Sequence, residues 1–355
     1  MAEYDLNTYV TLAELRQRMI NNELVPLSEV ADVLSSPLSI INDMMIGSGN
    51  DGDDDIVTKT LFEPQGSEVG YNQGAPVQHG QMEQVTEHSA IIEQPWEVET
   101  KIAKRTGNWR AYLDGEEILQ SNGLRKRWEQ RIFHGDRSAT TANGARQING
   151  LAVRTDYDTL NTVGTDDRPW VFDNAEGSTP SATANKSIIW FVKHSPIGFR
   201  WFYPQGQAEN AGIGREFFGT RVKDQTDPVS SLATVMTVYN GRLTLAGGIS
   251  IKDPRSVVPI VNISASGWDN DDDFDVNPGV LTDAMNYMDA ITADIPGRTI
   301  IYMNSAIRAR IWRLQSDLTL TRPLNEAFDQ PEWMINGMPV HISNQISITG
   351  SRVTT

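Results

Sequence analysis

From Asn108 to Asp136 the chain reads NWRAYLDGEEILQSNGLRKRWEQRIFHGD. Leu113, Glu117, Leu124, Trp128 and Ile132 fall along one helical stripe, with Arg125, Lys126, Arg127 and Arg131 set among them. This spacing predicts a single long helix over 108–134. Gly115 and Gly123 weaken its interior, because glycine costs a helix about 1 kcal/mol relative to alanine. The helix should stop at His134-Gly135-Asp136, with Gly135 as its C-terminal cap. The run RKRWEQR, 125–131, mixes cations with an aromatic, a composition that can touch nucleic acid. Glu129 interrupts it, and helical geometry spreads the charges around the axis. A basic face that is solvated or interfacial is the reading adopted.

Upstream, residues 56–105 change character. IVTKTLFEPQ and HSAIIEQPWEVETKIAKR are rich in β-branched and aromatic residues, and Trp96, Val98, Thr100 and Ile102 alternate with Glu97, Glu99 and Lys101. Between them lies GSEVGYNQGAPVQHGQ, polar and glycine-rich. The expectation is an extended hairpin of about fifty residues, two strands with a long polar tip. Such a ribbon is only marginally stable alone, so a neighbouring molecule should cover it. Further upstream, Leu12, Leu15, Met19 and Ile20, then Val30, Val33 and Leu34, suggest short helices broken at Pro26 and Pro37, with Ser28 and Ser39 as N-caps. GSGNDGDDD, 47–55, reads as a loop.

Downstream, 155–266 is strand-rich: KSIIWFVKH, GFRWFYP, REFFGTRVKD, ATVMTVYNGRLTLAGGISI and SVVPIVNIS. Asn240-Gly241 is the strongest hairpin signal in the chain. Helix returns at Leu281, Ala284, Met285, Met288 and Ile291. RTIIYMN follows as a buried strand, then NSAIRARIWRLQ as a helix capped by Asn304, with Ile307, Ile311 and Leu314 on one face. WMINGMPVHISNQISITG closes as strand, turning at Asn336-Gly337.

The chain has 355 residues, 30 Lys and Arg against 46 Asp and Glu, a net charge of −16 and no cysteine. Disulfide scaffolds, thiolate zinc sites and cysteine nucleophiles are excluded. The negative charge argues against gripping a phosphate backbone over a wide surface. The beginning has no secretory pattern and no apolar run could span a bilayer, so a soluble protein made in the cytoplasm is expected. The aspartates at 269, 271, 273 and 275, and at 51, 53 and 55, invite a calcium reading. A calcium loop needs glycine at its sixth position and glutamate at its twelfth. Those positions hold Phe274 and Val280, or Ile56 and Phe62, so both runs are read as solvated acidic loops. Neither a phosphate-binding glycine loop nor a nucleophile elbow occurs. No catalytic, cofactor-binding or metal residue is assigned.

In order, then, come an arm, a ribbon, a long helix, a mixed β-rich section and a closing strand. That order resembles the major capsid proteins of tailed bacteriophages, whose shared fold is named for phage Hong Kong 97. Three stretches carry the likeness: RIFHGDRSATTANGARQINGLAV with Gly135 and Asn149-Gly150-Leu151, GRTIIYMNSAIRARIWRLQSD, and INGMPVHISNQI with Gly337, Pro339 and Val340. YPQGQAENAGIGREFFG and the strands after it look like the branch found in short-tailed phages. The resemblance implies an α+β subunit: an N-terminal arm over 1–55, an extended loop over 56–107, and a peripheral domain with a spine helix over 108–151. A β-rich section over 152–266, axial-domain helices and strand over 267–328, and a closing peripheral strand over 329–355 complete it. It further implies self-assembly into hexamers and pentamers of an icosahedral head enclosing double-stranded DNA, located in the virion. Implied partners are a separate scaffolding protein, a portal and a decoration protein, with no cofactor and no membrane. Contacts between copies are expected at Phe62 and Trp96 at the ribbon base and at Arg125 and Arg127 on the spine helix. A tail or portal-associated structural protein, or a carboxylate-dependent hydrolase, are the competing readings.

Overall fold

The long helix forms as its spacing predicts, over Trp109–His134. The computed structural model describes residues 10–11, 40–62, 67–69, 71–77, 79–105, 108–140, 146–158, 160, 169–175, 185–226, 233–264, 276–290, 292–313, 320–321, 333–351 and 353. The helices predicted across 12–39 and the acidic run 269–275 lie outside these residues, as do Ile291 and Leu314.

Five helices are described: α1 Ile40–Asp43, α2 Thr100–Arg105, α3 Trp109–His134, α4 Pro278–Ala290 and α5 Ser305–Arg313. The first strands are β1 Val10–Thr11, β2 Met45–Ser48, β3 Asp55–Phe62, β4 Gln81–Glu87, β5 Ala90–Glu99 and β6 Phe172–Asp173. Then come β7 Lys186–His194, β8 Phe199–Tyr203, β9 Ile213–Thr226, β10 Ala233–Ile251 and β11 Val257–Ser264. The last are β12 Arg298–Met303, β13 Leu320–Thr321, β14 Met334–Ile335 and β15 Met338–Ile342.

The body is a mixed sheet running β1-β2-β8-β7-β12-β15-β14-β13, with β11 also on β7. Strand β7, KSIIWFVKH, has no polar face because both of its faces are covered. Its Trp190 and Val192 enter one core with Ile300 and Tyr302 of β12, beneath Trp128, Ile132 and Phe133 of α3. Its Ile189 and Phe191 enter a second core with Ile301 and Met303. That core is closed by Leu281, Ala284, Met285 and Met288 of α4 and by Ile307 and Ile311 of α5. The period of two along each strand thus divides one apolar run between two cores. Asn304 caps α5 as predicted, its Oδ1 accepting from Ala306 N–H at 3.0 Å. The turn at Asn336-Gly337 also forms, both residues at positive φ, between β14 and β15. Strand β15 pairs in parallel with β12.

Three expectations are corrected. First, the ribbon is shorter: β3 pairs with β4, while β5 leaves it to pair with β10. The segment Thr100–Arg105, expected as strand, is helical. Second, no hairpin forms at Asn240-Gly241. Strand β10 runs through this pair unbroken for 19 residues, and neither residue has positive φ. Gly241 is instead where β10 admits a ring: a Cβ there would lie 2.6 Å from the Trp96 side chain. Third, Gly135 does not end α3 in a left-handed cap. A Cβ on Gly135 would lie 2.5 Å from Arg131 O, and one on Gly150 would lie 2.5 Å from Gly135 N. Gly150 N–H donates to Gly135 O at 2.8 Å, so the glycines let the returning loop press against the helix end.

The β-rich section divides between the two sheets. β7, β8 and β11 belong to the body, while β9 and the first part of β10 form an antiparallel sheet with β5 alongside α3. Strand β10 links the two, since its last residues, Gly248–Ile251, pair with β8.

Candidate assembly surfaces

The ribbon stands on its own two strands. Every residue described between 67 and 84 is exposed where its side chain is described, Tyr71 and Val77 almost completely. Among the described residues, only its base is held. Asp55, wholly buried, takes a 2.6 Å ion pair from Arg200 Nη2 of β8. Glu87 accepts two bonds from the guanidinium of Arg154, at 2.5 and 2.8 Å. Arg154 is positioned by the 3-10 turn Leu151–Val153 that follows Gly150. Lys59 meets Asp156 at 2.6 Å, and Asp54 Oδ2 lies 2.8 Å from His88 Nδ1. The acidic loop is therefore only partly solvated: Asp51 and Asp53 face water, while Asp54 and Asp55 anchor the ribbon. A cleft of about 1070 Å³ lies beside this base, lined by Lys59, Glu83, Glu87, Arg154, Asp156 and Trp170 among others. Its cations and carboxylates largely neutralise one another. Among the described residues no group of three or more His, Cys, Asp or Glu could hold a metal ion.

Helix α1 is held by a buried polar chain. Asp43 of α1 accepts from Tyr302 Oη at 2.7 Å and contacts His341 Nδ1 at 2.6 Å. His194 Nε2 lies 2.8 Å from the same Tyr302 hydroxyl. The tyrosine has one proton and gives it to Asp43, so His194 donates through Nε2–H. His194 Nδ1 is buried without a partner. Burial pushes this imidazole down to about 4, against an opposing pull from Asp43, so it is neutral. Burial and Asp43 both push the Tyr302 hydroxyl well above its ordinary range.

The residues expected at contacts are dispersed. Phe62 ends β3 opposite Gln81, and its side chain lies outside the described set. Trp96 is 3 % exposed and belongs to the subunit's own core with Val98, Ala103, Leu113 and Tyr239. Its alternation with charged neighbours fits a strand covered on one face, and α3 and β10 supply that cover within the chain. Its ring reaches across Gly241 to Phe217, centroid to centroid 6.0 Å, and Phe217 is 52 % exposed. Arg125 is largely covered and pairs with Glu129 at 3.6 Å one turn on. Arg127 is exposed and bonds Gln130 at 2.8 Å, so of the two it is the one available to a neighbour. Sequence reasoning missed Arg154, Arg200, Glu87 and Asp43. One signal was present: Arg200 sits within GFRWFYP, and an arginine in an apolar strand needs a partner.

A sheet packed on both faces, a free-standing ribbon and a long helix define the Hong Kong 97-like capsid fold. The structure is similar to that of the short-tailed bacteriophage epsilon15, at 19% identity and TM-score 0.57 over 88% of each chain. A capsid structure of bacteriophage JBD30 aligns at 10% identity and TM-score 0.43, covering 89% of this chain and 93% of that one. Among curated protein sequences none matches. The family profile of the major capsid protein GP7 matches residues 25–354, and the chain belongs to this family. It is a capsid-forming protein of an icosahedral phage head, and its place is the virion. No helix among the described residues is long and apolar enough to cross a membrane.

Proposed function

We propose that the chain assembles into hexamers and pentamers of a head that encloses double-stranded DNA, and that it acts by association alone, without catalytic turnover. The ribbon carries this reading. Val69, Tyr71, Val77 and Met82 are exposed on a two-stranded element that, among the described residues, is anchored only at its base. Apolar side chains on so thin an element are stabilised only when another surface covers them. In a shell that surface is a neighbouring copy. The ion pairs at the base give the ribbon a set direction before it meets its neighbour. A separate scaffolding protein, a portal and a decoration protein complete the set of proposed partners.

The test is to replace residues 67–80 by a short turn. The shortened chain should keep the thermal midpoint of the free subunit and lose closed shells. Normal shell formation by this variant would refute the role given to the ribbon.

A further inference from the structure

We propose that Asn336-Gly337 is a site of spontaneous covalent modification, where the asparagine side chain closes on the following main-chain amide and reopens as aspartate or β-linked isoaspartate. The chain contains five Asn-Gly pairs, beginning at Asn122, Asn143, Asn149, Asn240 and Asn336. Asn143-Gly144 lies outside the described residues. Glycine suits this ring closure, because no Cβ shields its nitrogen. The fold then decides between the pairs, through whether the side chain and that nitrogen are free to meet.

Three pairs are guarded. Asn122-Gly123 lies within α3, and Asn122 Nδ2 donates to Ile118 O at 3.1 Å. Helical geometry commits the Gly123 N–H to a carbonyl one turn back. At Asn149-Gly150 the side-chain Oδ1 accepts from Arg137 N–H at 3.2 Å, and Gly150 N–H donates to Gly135 O. Asn240-Gly241 lies inside β10, between β5 and β9, where the Trp96 ring crowds the glycine. Each of these pairs must open before it can react.

Asn336-Gly337 differs on every count. Both residues are exposed, in a two-residue turn between β14 and β15 at φ 48° and 83°. A Cβ on Gly337 would meet nothing within 4 Å, so a base can reach its nitrogen. Among the described residues neither the Asn336 side chain nor Gly337 N–H has a hydrogen-bond partner. Base takes the Gly337 N–H proton, and the nitrogen bonds to Asn336 Cγ. The Cγ–Nδ2 bond breaks, and ammonia leaves with the returned proton. Water then opens the ring. Opening at Cγ gives aspartate, and opening at the main-chain carbonyl carbon gives isoaspartate, whose backbone runs through the side chain. That product adds one carbon to the turn. Ile335 and Met338 flank it, pair with each other and belong to the second core. Turn length sets hairpin register, so the longer link strains this pair.

The experiment incubates the full chain in mildly alkaline buffer and follows each Asn-Gly pair by peptide mass mapping. The same chain in urea, where every pair is open, gives the reference rate. The native peptide containing Asn336 should gain about 1 Da and become a substrate for isoaspartyl methyltransferase with labelled S-adenosylmethionine. Its rate should rise with hydroxide and stay within about threefold of the urea rate, while Asn122, Asn149 and Asn240 slow by about tenfold or more. Amide exchange over β14 and β15 should increase as isoaspartate accumulates. Asn336→Ser, which lacks the side-chain amide, should show neither change. Conversion at Asn336 slowed as strongly as at the three guarded pairs would overturn the assignment. Isoaspartate at 336 with unchanged amide exchange would overturn the strain assigned to the turn.

Discussion

At the scale of single residues, Trp96 and Gly241 form one unit. The indole fills the space that a β-carbon would occupy, and Phe217 closes the far side. Trp96→Ala should therefore cost the free subunit about 3–5 kcal/mol, as for other buried aromatic truncations. Gly241→Ala should cost about 1–3 kcal/mol through overpacking against the ring. Urea unfolding of the unassembled chain measures both, and a neutral Trp96→Ala would return that side chain to the interface. His194 makes a separate prediction. Its folded value of about 4 lies below the ordinary 6.5, so the unfolded chain takes up the proton first. The stability tied to its neutral form is complete above pH 6.5 and declines as pH falls toward 4, by roughly 3 kcal/mol. Asp43, His341, Tyr302 and Arg298 surround this imidazole, so the parent's pH profile does not belong to His194 alone. The comparison is therefore between the parent and His194→Gln. The difference between their unfolding free energies should vary with pH between 6.5 and 4, and a constant difference would contradict the neutral, buried assignment.

At the scale of elements, the ribbon base rests on two arginine–carboxylate pairs in a nearly dry setting. Arg154→Met leaves Glu87 charged and unpaired, and should cost about 3–5 kcal/mol. Glu87→Leu combined with Arg154→Met should cost less than either change alone, because no stranded charge remains. Amide exchange over β3 and β4 should rise in the single variant and fall back in the double. Equal exchange in all three chains would show that the pair does not hold the ribbon. These anchors were hard to read in the sequence, since Arg154 and Glu87 are 67 positions apart and Arg200 and Asp55 are 145 apart. By contrast α3, α4, β12 and α5 were legible, because periodicity and a cap act between near neighbours. The ribbon's return strand was not, for QMEQVTE is mostly polar and takes its order from pairing with β3 and from the Glu87–Arg154 pair. The Asn240-Gly241 pair misled for the opposite reason. A strong local turn signal yielded to a distant tryptophan that needed a glycine beneath it.

At the scale of the whole molecule, surface charge and exposed apolar area are divided unevenly. A net charge of −16 leaves little reason for the free subunit to grip duplex DNA, despite cations at 101–110 and 125–131. Titration at physiological salt should show weak, sequence-independent binding, and submicromolar, salt-sensitive binding would revive a nucleic-acid role for those stretches. Exposed apolar side chains concentrate on the ribbon and on the β5–β10–β9 sheet. Each is poorly stabilised in isolation and each is explained if copies cover one another. The measurement that tests this most directly is electron microscopy of the chain expressed alone and with a scaffolding protein. Closed particles of icosahedral symmetry, with the ribbon of each copy ordered on a neighbour, are the predicted result. Rings, open tubes or a monodisperse monomer under both conditions would contradict it.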